Sequence, residues 1–338
     1  MRRALCLICL LALIDPPAAR ALPFADWLLE AQDIFIDAGA ASTGIDAAMD
    51  RLERVRTGDI PVETATRSAL ETYFEIEGTI AAVAARVTAL GEVETDQPAY
   101  RHHAADLTAQ LRQLPAILEE ERTLLHDAVD AVADADWAAF ERLAIRAIGQ
   151  STRWLIIENL ILEGSLDRLM HDHPQYSLNR AIVAENRAVI RVIEFYSAVA
   201  TGEEADPVVY AATVEGFLNE AAGAVDRGRR HAAAIIREFE DLQATSDLPP
   251  AMVERAIASI ETYRTSFETE ERVIDAIRAS FGPAPETVSL EAEPADLLAE
   301  LRDLEQRFYA LAMQRIDQQT LRYRFLETTL DDTAEAAE

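Results

Sequence analysis

Residues 105–114 read ADLTAQLRQL and residues 295–304 read ADLLAELRDL, with seven of ten positions identical at an offset of 190. Leucine falls at steps of three and four in both: Leu107, Leu111 and Leu114 in the first, Leu297, Leu301 and Leu304 in the second. That spacing lines one face of an α-helix. At the same offset Glu71-Thr72-Tyr73 matches Glu261-Thr262-Tyr263, and Trp27-Leu28-Leu29-Glu30-Ala31 resembles Phe217-Leu218-Asn219-Glu220-Ala221. With a slip of two residues, Thr57-Gly58-Asp59-Ile60-Pro61 resembles Thr245-Ser246-Asp247-Leu248-Pro249. Four matches in one order predict an internal duplication in which helices one to three correspond to helices six to eight.

Working outward, helical spacing recurs along nearly the whole chain, and no two-residue alternation bounded by turns interrupts it. Of 338 residues only 12 are Gly and 7% are aromatic, while half are hydrophobic. Such a composition suits helix better than strand and is ample for a core. Gly- and Pro-containing breaks divide the chain into helices near 24–57, 62–90, 99–133, 136–171, 176–201, 207–244, 250–281 and 295–330. Gly39 to Gly44 is a place where the first could be interrupted, and Pro115 is expected to kink the third. The fold class expected is all-α: eight long helices forming two related helical bundles, the first over 22–174 and the second over 175–330. Residues 331–338 form an acidic tail without a core face, expected to be disordered.

The N-terminus has the form of a secretory signal. Arg2-Arg3 is followed by the apolar run Ala4 to Ile14, then Asp15-Pro16-Pro17 and Ala19-Arg20-Ala21. This is a charged start, an apolar segment too short to span a bilayer, and an A-x-A cleavage site. Residues 1–21 are therefore expected to be removed near Ala21, giving a periplasmic or secreted protein with no stable membrane span. Both cysteines, Cys6 and Cys9, would leave with that segment, and with them any disulfide or thiolate chemistry. Loss of Arg2, Arg3, Arg20 and Asp15 leaves 28 Arg against 59 acidic residues, and no Lys. A surface so acidic repels phosphate backbones, so nucleic acid is excluded as a partner, whereas cations and basic partners are favoured.

Chemistry-bearing motifs are few. H-E-x-x-H, G-x-S-x-G, the P-loop and G-x-G-x-x-G are all absent, and no histidine has a glutamate three residues before it. Two places invite a site. Glu158-Asn159 and Glu185-Asn186 interrupt apolar stretches of the fourth and fifth helices. If those helices form an antiparallel hairpin turning near Asp172, Glu158 falls level with Asn186 and Asn159 with Glu185. A polar layer results, with Arg153, Arg187 and Arg191 as nearby cations, and it serves as a structural network or as a ligand pocket. The second place gathers His102, His103, Asp106, Asp167, His171 and His173 at the open end of the hairpin of helices three and four. These are surface histidines or ligands for a divalent metal. No cofactor is otherwise expected. Glu268-Thr269-Glu270-Glu271 reads as a solvated face.

Export, duplication and helicity together resemble the exported bacterial imelysin-like proteins, whose outline is two duplicated four-helix bundles. The resemblance implies architecture only. That family's G-x-H-x-x-E metal motif has no counterpart, since Gly228-Arg229-Arg230-His231 is spaced differently and Ala234, not Glu, stands three residues after His231. The function expected is that of a binding, scaffolding or sensor-like accessory protein without catalytic activity, contacting a protein partner or a small ligand. The alternatives are a metal or small-molecule binder using the Glu/Asn layer or the histidines, and an enzyme acting through buried carboxylates.

Overall fold

The computed structural model describes residues 23–303 except 91, 94, 167–170, 204, 246–249, 282–295 and 297. The expected signal segment, the acidic tail, Asp167 and most of the helix expected over 295–330 lie outside the described residues. Within them the chain is all-α, without strand, as its periodicity requires. In order come α1 (Pro23–Arg56), α2 (Val62–Ala89), α3 (Pro98–Leu111), α4 (Leu114–Ala133), α5 (Trp137–Gly149), α6 (Ser151–Leu166), α7 (Pro174–Thr201), α8 (Pro207–Thr245) and α9 (Pro250–Phe281). Residues 298–303 are helical as well.

Three boundaries differ from the sequence reading. α1 runs through Gly39 to Gly44 without a break. The expected helix 99–133 is two helices, α3 and α4, parted at Arg112-Gln113 rather than kinked at Pro115. Pro115 stands at the start of α4, where its missing N–H is one that no helical carbonyl would accept anyway. The expected helix 136–171 is likewise split, at Gln150, into α5 and α6. Thr152 there donates from Oγ1 to the Gly149 carbonyl at 2.9 Å, a local bond that competes with the helical ladder.

Caps set the other ends. Asp136 accepts from the Ala139 N–H at 3.0 Å and starts α5. Replacing Asp136 by Ala is expected to lower unfolding free energy by about 1 kcal/mol, read by urea denaturation. Gly202, at φ 72°, ends α7 in the left-handed conformation, and the Glu203 N–H reaches back to the Ala198 carbonyl at 2.9 Å.

α7 is the central helix. It packs on α5, α6, α8 and α9, and its buried positions run round most of its circumference, from Leu178 and Ala181 to Phe195 and Tyr196. Burial, with the Glu300 carboxylate nearby, pushes the Tyr196 hydroxyl up to about 12, so it stays protonated at neutral pH. α1 packs on α2, α3, α4 and α6. One apolar cluster joins Ile45 to Leu52 of α1, the α4–α5 hairpin, α7, α8 and α9. A second joins Phe24 to Ala38 of α1, α3, the start of α4 and one face of α6. Segment 298–303 adds Leu298 and Leu301 to the first cluster, and its Arg302 pairs with Asp50 at 3.1 Å and Glu53 at 3.2 Å on α1.

The pairs α1–α2 and α8–α9, which the offset of 190 equates, are both antiparallel. Arg51 bonds Ser68 while Arg86 bonds Glu30 in one; Arg229 bonds Glu271 while Arg278 bonds Glu215 in the other. Helix order and direction are compatible with duplication, which itself stands as a proposal.

Candidate functional site

α6 and α7 pair antiparallel: from Asn159 to Ser165 along α6 the partner on α7 steps back from Asn186 to Asn179, and the longer Arg187 reaches across to Glu163. Asn159 meets Asn186, Glu163 meets Arg187 and Ser165 meets Asn179. A polar layer does cross the pair, with different partners from those the register suggested. Asn186 donates from Nδ2 to Asn159 Oδ1 at 3.0 Å, amide to amide. The reason is angular: neighbours in sequence lie about 100° apart round a helix, so when Asn159 and Asn186 face each other, Glu158 and Glu185 are both turned aside. Both carboxylates are nonetheless fully buried.

Glu158 lies on the α6 face that also carries Trp154 and Ile161, and this face meets α1. Leu28 packs at Gly164 and Phe35 lies 5.6 Å from Trp154 between ring centroids. Gln32 stands between Leu28 and Phe35 on the same α1 face and therefore at the level of Glu158. It is buried, and its amide makes no hydrogen bond among the described residues. The expected cations go elsewhere. Arg187 pairs with Glu163 at 2.8 Å, Arg191 with Glu194 at 2.5 Å and Arg153 with Glu120 at 2.7 Å.

Two further polar networks were not read from the sequence. Glu121 of α4, almost wholly buried, accepts from Ser42 Oγ at 2.5 Å and from Trp154 Nε1 at 2.8 Å. Its signal was present: Glu121 occupies the inward position of the stripe Leu114, Leu118, Leu125. Nearer the α6–α7 turn, Gln175 donates to Asn179 Oδ1 at 2.6 Å, Asn179 to Ser165 Oγ at 2.9 Å, and Ser165 to the Leu162 carbonyl at 2.6 Å. Neutral donors thus satisfy these buried acceptors, as burial demands.

The histidines go to separate neighbours. His102 is exposed and sits 3.4 Å from Asp106 one turn along α3. His103 turns inward, over Gly164 and edge-on to Phe24 at 6.1 Å. His171 lies against the Tyr176 ring at 4.7 Å. His173 caps α7, its Nδ1 accepting from the Gln175 N–H at 3.1 Å, and meets the Tyr263 ring edge-on. Among the described residues no three His, Cys, Asp or Glu side chains gather to hold a metal ion.

On α9 the carboxylate run is not a solvated face throughout. Thr269 and Glu270 are fully buried, whereas Glu268 is exposed and Glu271 pairs with Arg229. Charge density in the sequence concealed this, because Glu270 falls in the helical stripe of Tyr263, Phe267, Ile274 and Ile277.

A hollow opens between α8 and α9. It measures about 400 Å³, within the size range of small-ligand pockets. Ala232, Ala233, Ile236 and Ile260 form its apolar lining over Phe267, and Arg229, Glu261, Arg264 and Glu268 surround them. Its origin is local. Small residues on α8 leave space that the larger side chains of α9 do not fill, and Gly228 admits the Phe267 ring close against the α8 backbone. Compared with protein-family models, curated proteins and solved structures, the chain matches none.

Proposed function

We propose that this chain is an exported helical-bundle binding protein that acts without catalysing a reaction, taking a small ligand between α8 and α9. The observation that carries the reading is the hollow of about 400 Å³, apolar inside and charged at its rim. Two features support it. The buried carboxylate of Glu121 and the amides of Asn159, Asn179 and Gln175 are bonded to neutral partners inside the protein, which is what a structural polar core looks like. The charged groups at the hollow, by contrast, are open to solvent and can meet a ligand; Arg264 and Glu268 are 78% and 51% exposed. Export rests on the segment Met1 to Ala21, and no described helix is long and apolar enough to cross a membrane.

Native mass spectrometry of the protein recovered from the exported fraction of its own cells tests both parts. The expected result is a chain beginning at Leu22 that carries an additional small mass, released on mild denaturation. A chain beginning at Met1 would overturn export. A bare mass, with nothing released, would overturn the small-ligand reading.

A further inference from the structure

We infer that the hollow between α8 and α9 takes an organic cation: an ammonium group on an apolar body, the chemistry of hydrophobic amines such as arylalkylamines. The inference rests on the binding reading above and names the class of ligand.

Charge bookkeeping at the rim decides the sign. Four charged side chains line the hollow: Arg229, Glu261, Arg264 and Glu268. Arg229 is already neutralised by Glu271, which grips both terminal nitrogens, the Nη2–Oε2 bond at 2.7 Å. A two-bond guanidinium–carboxylate pair of this kind is the strongest of the ion-pair geometries and leaves little for a third partner. Arg264 approaches Glu268 at 3.5 Å one turn along α9, a solvent-exposed contact that a competing cation can displace at small cost. Glu261, exposed and one turn before Arg264, is held by no ion pair among the described residues. With Arg229 offset by Glu271, and Arg264 by Glu268, one carboxylate remains in excess. The whole chain adds to this local excess, carrying a net charge of −29, so an approaching cation is drawn in and an anion repelled.

Shape sets the rest of the ligand. Ile236 of α8 and Ile260 of α9, both half-buried, line the hollow, and Ala233, one turn before Ile236, lines it from an exposed position. Apolar side chains from both helices, in a hollow of about 400 Å³, accommodate the hydrocarbon body of a small molecule. Both lining carboxylates, Glu261 and Glu268, lie on the α9 side, so the cation is placed at one end of the bound molecule.

Isothermal titration of the full-length protein with two matched probes, 2-(1-naphthyl)ethylamine and 1-naphthylacetate, tests this. The amine is expected to bind at least tenfold more tightly than the carboxylate. The double variant E261Q/E268Q is expected to bring the two probes within about threefold of each other. The variant A233W, on an exposed position that fills the mouth, is expected to weaken amine binding at least tenfold while circular dichroism and melting temperature stay as in the parent. If the carboxylate binds as tightly as the amine and A233W weakens both, the cation class is overturned and the pocket stands. If neither probe binds, or A233W leaves amine binding unchanged, the hollow is not the site and both readings fall.

Discussion

Replacing Trp154 by Ala is expected to cost about 4–6 kcal/mol of unfolding free energy, the largest effect of any single change considered for this chain. Trp154 is buried where α1, α4 and α6 converge, against Phe35 at 5.6 Å. Removing an indole from such a site costs about 3–5 kcal/mol in lost burial and residual cavity. A second loss follows, because the Trp154 Nε1–H donates to Glu121 Oε1 at 2.8 Å. An acceptor deprived of a donor in the core adds about 1–3 kcal/mol. The two losses overlap, since water entering the cavity can serve the carboxylate. The conservative variant W154F separates them: it retains most of the volume and removes the donor, so a loss of about 1–3 kcal/mol is expected. Urea denaturation followed by circular dichroism reads both. If W154F were as stable as the parent, the bond to Glu121 would contribute nothing, and only packing would hold Trp154.

The second large effect lies at Gly228. A Cβ added there would fall 2.1 Å from Phe267 Cζ and 2.5 Å from Cε1, well inside contact distance. Phe267 is fully buried, with Tyr263 beside it at 6.5 Å, so the ring can give way only toward the hollow that it lines. Overpacking of this kind costs about 3 kcal/mol, and the better helix propensity of alanine returns about 1. G228A is therefore expected to lose about 2 kcal/mol net, and G228A/F267L to recover part of it, a coupling that a double-mutant cycle measures. Gly164 supplies the contrast. Its added Cβ would meet His103 Nε2 at 2.6 Å, an enclosed atom, but the residue as a whole is only half-buried, so the ring can shift toward its exposed side. G164A is expected to stay within about 1 kcal/mol of the parent. If G228A proved as harmless as G164A, close approach of Phe267 would not be what joins α8 to α9.

Much of the architecture was legible in local pattern. Leu107, Leu111 and Leu114 are buried as their spacing implied, and α6 and α7 pair antiparallel across the turn near Asp172, with Asn159 rather than Glu158 bonded to Asn186. The burial of Glu158, Asn159, Glu185 and Asn186 was legible, since apolar residues surround each polar pair in the sequence. Their bonding was not. Level along a helix follows from counting residues, whereas direction round the helix depends on where the neighbouring helices lie. One residue of difference, Asn159 in place of Glu158, is a turn of about 100°.

What the sequence by itself determined is the all-α class, most of the helix ends and the stripe that each helix must bury. These follow from short-range causes: apolar spacing, the donor that proline lacks, the left-handed φ open to Gly202 and the side-chain cap at Asp136. Tertiary structure decided which stripe meets which. It turned Glu121 toward Ser42 and Trp154, buried Glu270 within a run of acids, sent His103 and His173 to different neighbours, and left the hollow between Ile236 and Ile260. The physical reason is that burial and hydrogen bonding are satisfied between helices far apart in the chain. A periodic sequence states which face of a helix is apolar, but the shape of the partner settles which polar side chains are enclosed with it and where the packing leaves space.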